Sequence, residues 1–249
     1  MFKLIGCLFL LLFTGTVVAQ DFVTRGKIEY EIKRNLKRLN EEDDPEDMYN
    51  SAAEPDYDIT YRDLTFTSNL LLYTPGRKGP KPTYYHRESV AYTDLGKKEL
   101  VIKRSFGDDY QSFSDSFQHV KWKLQQETRK IAGWECRKAV GVIHDSVYVV
   151  AFYCPEIIPQ GGPELFRGLP GMILGLAVPR HFTTWFATKV ELANVDDSKI
   201  VPPAGKKGKI YGKRELAEIE YKKYKLSGWV EADYTLEKME ASMADYFLY

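Results

Sequence analysis

The stretch "GWECRKAVGVIHDSVYVVAFYC", Gly133–Cys154, decides the fold. If the chain turns at His144-Asp145-Ser146, Val142 faces Tyr148, Val140 faces Val150, Lys138 faces Phe152, and Cys136 faces Cys154. All eight then share one face, because side chains on a strand alternate with period two. Trp134 continues that face, and only Lys138 is out of character on it. The stretch is therefore an antiparallel hairpin. A one-residue slip would put the two cysteines on opposite faces. In the register given, their backbones are close enough for an S–S bond at a non-hydrogen-bonded pair. Such a Cys136–Cys154 disulfide would stabilise the chain by about 3 kcal/mol in the chain-entropy picture. The pair lacks the CxxC spacing of a redox motif and has no histidine cluster beside it.

Downstream, "PEIIPQGGPELFRGLPG" (Pro155–Gly171) is a long Pro/Gly connection. Leu169-Pro170-Gly171-Met172 fits a type II turn, with Pro fixing φ at the second position and Gly accepting positive φ at the third. Met172 to Val178 is apolar throughout apart from Gly175, which reads as a strand buried on both faces. Gly175 allows a bend or a close approach of backbone there. In "FTTWFATKVEL", Phe182, Thr184, Phe186, Thr188, Val190 and Leu192 alternate on one side, with Trp185 and Ala187 on the other. Upstream, "GKIEYEIK" sets Ile28, Tyr30 and Ile32 against Lys27, Glu29, Glu31 and Lys33, a half-buried strand. Tyr57 to Pro75 carries one or two more strands, and a hairpin turns about Asp94-Leu95-Gly96-Lys97. Asn35 to Asp58 is acidic and contains proline, so it reads as an exposed loop; its spacing fits no calcium-binding repeat.

The two ends differ from this middle. Residues 1–19 combine Lys3, an apolar run and small residues up to Ala19, the pattern of a cleaved signal peptide. It is too short and wrongly flanked for a membrane span. Beyond it, residues 20–212 read as the β domain and 213–249 as a helical tail. In that tail, Lys213–Leu226 and Tyr234–Phe247 have helical spacing, and Ser227-Gly228 separates them. The whole chain has 35 Lys and Arg against 35 Asp and Glu; removing Lys3 leaves 34 against 35, about −1. A near-neutral balance gives no ground for nucleic acid as a partner. At 14% aromatic, the chain has the material for a strand-rich core.

Catalytic patterns do not appear. GxSxG, HExxH and the Walker phosphate loop are absent. His86, His119, His144 and His181 are far apart in sequence, so local spacing offers no metal site. No cofactor motif and no catalytic residue can be named. His181 beside Arg180 is a loop pair rather than an anion site.

"WKLQQETRKIAGWECRKA" (Trp122–Ala139) and "VAFYCPEIIPQGGPELFRGLPGMIL" (Val150–Leu174) resemble two segments of the GLPGLI family of exported Bacteroidota proteins. Gly168, Leu169, Pro170, Gly171, Met172 and Ile173 stand where the family's name motif falls, with Met172 in place of Leu. "GKIEYE" and "LTFTSNLLLY" look like its early strands, so the resemblance runs to about Leu192 and leaves the tail uncovered. It implies export to the periplasm or cell envelope, and genes neighbouring TonB-dependent outer-membrane transporters. The implied fold is a strongly curved antiparallel sheet, an open half-barrel similar to periplasmic lipoprotein carriers, here with C-terminal helices. No family activity carries over. The expected function is a non-enzymatic module that binds an apolar ligand or peptide. Trp134, Val140, Val142, Tyr148, Val150 and Phe152 would line its concave groove, with the Gly168–Gly171 elbow at the rim. The alternatives are an interaction factor for an outer-membrane transporter component and an envelope hydrolase.

Overall fold

Twelve strands make one open sheet in the computed structural model, which describes residues 22–43, 56–80, 89–106, 109–117, 119–228, 234–243 and 247. The expected signal peptide, most of the acidic stretch and His86 lie outside the described residues. The strands are β1 (Gly26–Asn35), β2 (Tyr57–Phe66), β3 (Leu70–Pro75), β4 (Val90–Asp94), β5 (Glu99–Phe106) and β6 (Asp109–Asp115). They continue as β7 (Lys123–Ile131), β8 (Trp134–Ile143), β9 (Val147–Cys154), β10 (Met172–Val178), β11 (Thr183–Leu192) and β12 (Ile210–Gly212). Their order across the sheet is β12-β6-β5-β4-β3-β2-β1-β11-β10-β9-β8-β7. Every neighbouring pair is antiparallel except β12 on β6. The mainly β, open antiparallel fold expected from the sequence is the fold observed.

The deciding hairpin has the register read from its sequence. Val142 pairs with Tyr148, Val140 with Val150 and Lys138 with Phe152. His144 and Asp145 take φ of 48° and 58°, and Ser146 N–H donates to the Ile143 carbonyl. Two central residues with positive φ give the turn the twist that matches right-handed strands. Lys138 is explained as well: its ammonium lies 2.6 Å from the Glu127 carboxylate on β7.

Opposed residues share a face, so rows read across the sheet define its two sides. One row runs Thr60, Ile32, Trp185, Leu176, Ala151, Ala139. A parallel row runs Phe113, Ile102, Ala91, Tyr73, Leu64, Ile28, Val190 on the same side. The Pro155–Gly171 connection folds back over this side, and most of its residues are buried there. The Glu164 carboxylate in that loop accepts from the Trp185 indole at 2.9 Å and from the Tyr73 hydroxyl at 3.5 Å. Trp185 and Tyr73 stand three strands apart, about 14 Å in a flat sheet at ~4.8 Å per strand. One oxygen reaches both because the sheet bends around the loop, which makes this face the concave one between β3 and β11.

Helices complete the cover at the β6 end. α1 (Leu36–Asp43) follows β1, where the sequence reads only as a loop; α2 is Lys213–Ser227 and α3 is Leu236–Met243. Leu216 and Ala217 of α2 and Met239 and Met243 of α3 join Leu100, Ile102 and Phe113 in one core. The α2 helix matches the sequence expectation; α3 begins at Leu236, two residues after the expected start at Tyr234. On the opposite, convex face, Val195 and Ile200 of the segment after β11 cover Tyr92 and Val101.

The elbow differs in detail from the expected type II turn. Gly171 does have positive φ, at 141°. Yet Gly171 N–H donates to the Leu169 carbonyl, and Met172 N–H donates to Ile157 instead of Leu169. That is a three-residue turn about Pro170, because Met172 is already engaged by the loop lying beside it. A Cβ on Gly171 would sit 2.2 Å from the Cys154 carbonyl oxygen, so the position demands glycine for contact as well as for φ.

Candidate functional site

The six residues expected to line a groove, Trp134, Val140, Val142, Tyr148, Val150 and Phe152, do share one face. It is the face opposite the loop, convex between β3 and β11, but at the β7 end the sheet curls back over it, so that β7 reaches β10 and β11. Phe152 is opposed to Gly175, Gly175 to Phe186 and Phe186 to Glu31, a row one residue along from the Trp185 row. The elbow instead packs on the concave side, where Leu169 is buried with Phe166, Ile173 and Trp185. The groove and its expected rim are thus on opposite sides of the sheet, because the loop fills the concavity. Gly168 lies beside the Trp122 indole, whose N–H donates to the Arg167 carbonyl.

The groove set also splits along its own face. Phe152 is buried and Trp134 and Val150 are half-buried, packed with Ile131 and Phe186. The Arg129 guanidinium stacks over the rings of Phe186 at 4.8 Å and Phe152 at 5.7 Å. A Cβ on Gly175 would sit 2.8 Å from both Ile131 and Phe186, which explains the glycine in an otherwise apolar strand. Val142 and Tyr148, at the hairpin tip, stay 47% and 48% exposed.

That tip borders an open depression of about 620 Å³. Val140, Val142 and Tyr148 provide its apolar wall. His119, Lys121 and Lys123, from β7 and the segment before it, line it with His144 and Asp145 of the turn. The volume falls in the range of small-molecule sites, roughly 300–1,000 Å³. Sequence reasoning supplied the three apolar residues from alternation. It could not supply His119, Lys121 and Lys123, which are brought to the site by the pairing of β7 with β8. Among the described residues no group of three or more His, Cys, Asp or Glu could hold a metal ion.

The cysteines correct one expectation. Cys136 and Cys154 are buried free thiols in this structure, with no disulfide between them. The β8–β9 ladder ends one pair earlier, at Arg137 and Tyr153; beyond it Cys136 pairs with Arg129 of β7 and Cys154 with Met172 of β10. The Cys136 thiol donates to the Trp134 carbonyl at 3.6 Å. The neighbouring Cys154 thiol and burial push Cys136 up, while Cys136 in turn draws Cys154 down.

A carboxylate pair that sequence could not single out lies mid-sheet on the convex face. Glu29 and Asp63 are directly opposed on β1 and β2. Hydrogen bonds from Thr188 and Arg77 hold Glu29 below the usual carboxylate range. Burial, then the Glu29 charge, raises Asp63. Split carboxylates are the raw material of acid–base chemistry. These two sit on a strand surface, with Glu29 engaged by Arg77 at 3.0 Å.

Two further tyrosines lie in the concave core. Burial raises Tyr30 and Tyr73 well above the ordinary tyrosine value, with the neighbouring Cys136 and Glu164 charges adding to the effect respectively. The Tyr30 hydroxyl donates to the Ile173 carbonyl at 2.6 Å, tying β1 to β10.

No protein-family model and no curated protein matches the chain. Among solved structures it is similar to PNGF-II in two crystal forms. The C2 form has a TM-score of 0.55 at 17% identity, covering 80% of this chain and 33% of that one. The P21 form has a TM-score of 0.53 at 16% identity, covering 80% and 34%. The chain thus spans about a third of the length of those proteins, and the likeness is one of fold.

Proposed function

We propose that the chain is an exported cell-envelope protein of the GLPGLI kind that acts as a non-enzymatic binding module. The site is the depression at the β8–β9 tip, and its occupant is the apolar part of a ligand or peptide. The observation that carries this reading is the exposed Val142–Tyr148 wall, opened to solvent in a concavity of ligand size and faced by Lys121 and Lys123. Apolar surface left exposed beside polar groups is the common signature of a binding site. Native mass spectrometry of protein recovered from its own envelope tests it. A bound lipid or hydrophobic peptide, lost on Tyr148→Ser, is expected; a clean apo mass, with no uptake of such ligands, overturns it.

A second reading, an interaction factor for an outer-membrane transporter component, rests on β7. This strand is the sheet's edge, and all of it but Ile131 is exposed. An open edge can add a partner's strand. Co-purification with the outer-membrane fraction, lost when Gln125 is replaced by proline, separates it from the first reading. A hydrolase would use Glu29 and Asp63, and its support is only their opposed placement.

Export also bears on the thiols. In an oxidising compartment Cys136 and Cys154 give up two protons and two electrons to a disulfide-carrying oxidant, which leaves as a dithiol, and their sulfurs join. Thiol titration of the denatured, exported protein is expected to find no free thiol; two would refute the bond.

A further inference from the structure

Three basic side chains reach the depression at the β8–β9 tip from one short stretch. In "HVKWK", His119, Lys121 and Lys123 alternate with Val120 and Trp122. A Cβ on Gly141 would meet Val120 at 2.6 Å and Trp122 at 3.0 Å. Those two side chains therefore lie over the concave side of β8, where they pack on the core that holds Trp185. Successive side chains of an extended segment point opposite ways. His119, Lys121 and Lys123 accordingly line the depression with Val140, Val142 and Tyr148. Lys123 is directly opposed to Val140 across the β7–β8 pair.

The charge at this place is not balanced within it. Asp145 is the single carboxylate among the lining residues, against Lys121 and Lys123. Both lysines are exposed, and neither makes an ion pair with a described residue. Lys138, in the next row along β8, differs: the Glu127 carboxylate neutralises it at 2.6 Å. The chain as a whole has 35 basic against 35 acidic residues, so the excess is local. That balance gives no general attraction to an anionic membrane. A lysine stem lies along apolar surface while its ammonium stays in water. The depression thus offers positive charge on its β7 side and bare aliphatic and aromatic surface on its β8–β9 side. Lysine is a point charge without the fixed fork of arginine, so it accepts a carboxylate or a phosphate alike.

We propose that the depression selects a single-chain amphiphile with an anionic head group, a carboxylate or a phosphate, bound as a monomer. Lys121 and Lys123 face the head group, and Val140, Val142 and Tyr148 face the chain. Asp145, on the β8–β9 turn, repels an anion and so directs the head group to the β7 side. A volume of about 620 Å³ suits one small molecule of this kind. The inference rests on the depression being the binding site and adds the charge and class of its ligand.

The test is isothermal titration calorimetry of the full chain at low salt with three probes of one chain length: dodecanoate, dodecanol and dodecylammonium. Two exposed charge contacts should make dodecanoate bind about fivefold more tightly than dodecanol, with dodecylammonium weaker than either. Salt at about 1 M, where the screening length is about 3 Å, should erase that preference. Replacing both lysines, Lys121→Gln with Lys123→Gln, should bring dodecanoate to the affinity of dodecanol. Lys138→Gln should keep the preference. Equal binding of dodecanoate and dodecanol by the wild-type chain overturns the charge selection and leaves the binding site standing; binding of none of the probes overturns both. A preference that survives the double replacement, or that is lost with Lys138→Gln, overturns the assignment to Lys121 and Lys123. Binding to phosphatidylglycerol vesicles without binding of monomeric dodecanoate overturns the proposal in favour of a membrane-docking surface.

Discussion

Two rows of the sheet, one residue apart, have opposite characters. Ile32, Trp185, Leu176, Ala151 and Ala139 form the concave row, and all are buried. Glu31, Phe186, Gly175, Phe152 and Lys138 form the convex row, which mixes charge, a glycine and stacked rings under an arginine. The backbone is the same in both. What differs is the cover: a folded loop, helices and Phe247 on one side, and on the other β7, one crossing segment and open solvent. The face that looked like a receptor in the sequence is filled by the chain itself. The face free to meet a partner is the convex one near the hairpin tip.

If the concave cover holds the molecule together, its tightest contact should be the most costly to disturb. Gly171→Val forces a side chain into the Cys154 carbonyl at a φ of 141°. The expected loss is about 4 kcal/mol or more, read as a collapse of the urea midpoint. A variant with wild-type stability that had lost only ligand binding would reverse the roles assigned to the two faces.

The next effect compares the rows directly. Trp185→Ala removes a fully buried indole and the donor to Glu164, and should cost roughly 3–5 kcal/mol. Lys138→Ala, in the adjoining row, removes one ion pair on a half-buried side chain and should cost under about 1 kcal/mol. Equal losses in chemical unfolding would mean that the convex row carries as much of the core as the concave one.

The faces should also separate by pH. Tyr73 has its folded pKa raised above the ordinary value of 10.0, burial being the main cause. The folded state therefore holds the proton more tightly than the unfolded chain. Its contribution is intact below about pH 10 and is lost as pH climbs toward the folded value. Tyr73→Phe should flatten that alkaline decline in stability. On the convex face the sign reverses. Glu29 is lowered by Thr188 and Arg77, so its contribution is present above the ordinary 4.5 and fades as pH falls through the folded value. Glu29→Gln should blunt the acid limb only slightly, by well under about 1 kcal/mol, because the pair is partly exposed.

Strand alternation made the hairpin legible to the residue: the Val142–Tyr148 and Lys138–Phe152 pairs and the charged side of β1 follow from period two, and the bounds of β10 from its apolar run. Alternation says which residues share a face, however, and not which face is concave. That was decided by Glu164, a loop residue whose partners Tyr73 and Trp185 are 91 and 21 residues away. The helix α1 was hidden by acidic residues that read as loop. The lysines of the depression were hidden because their nearness to Val140 depends on β7 pairing with β8. The cysteines were placed correctly as neighbours, one position beyond the last β8–β9 pair at Arg137 and Tyr153.

The smallest expected effect on stability bears most on function. Tyr148 stands at the hairpin tip, half exposed, with Val142 opposite it. Tyr148→Ser removes a ring from solvent rather than from the core, so its cost should be within about 0.5 kcal/mol. In the proposed reading its ring, beside Val142 and the depression, contacts the ligand. Paired measurements decide this. Stability of Tyr148→Ser by urea unfolding should match wild type, while uptake of envelope lipid or hydrophobic peptide falls. A large stability loss would place Tyr148 in the core economy of the sheet, and unchanged uptake would move the binding site away from the tip, leaving the convex face as plain solvent-facing surface.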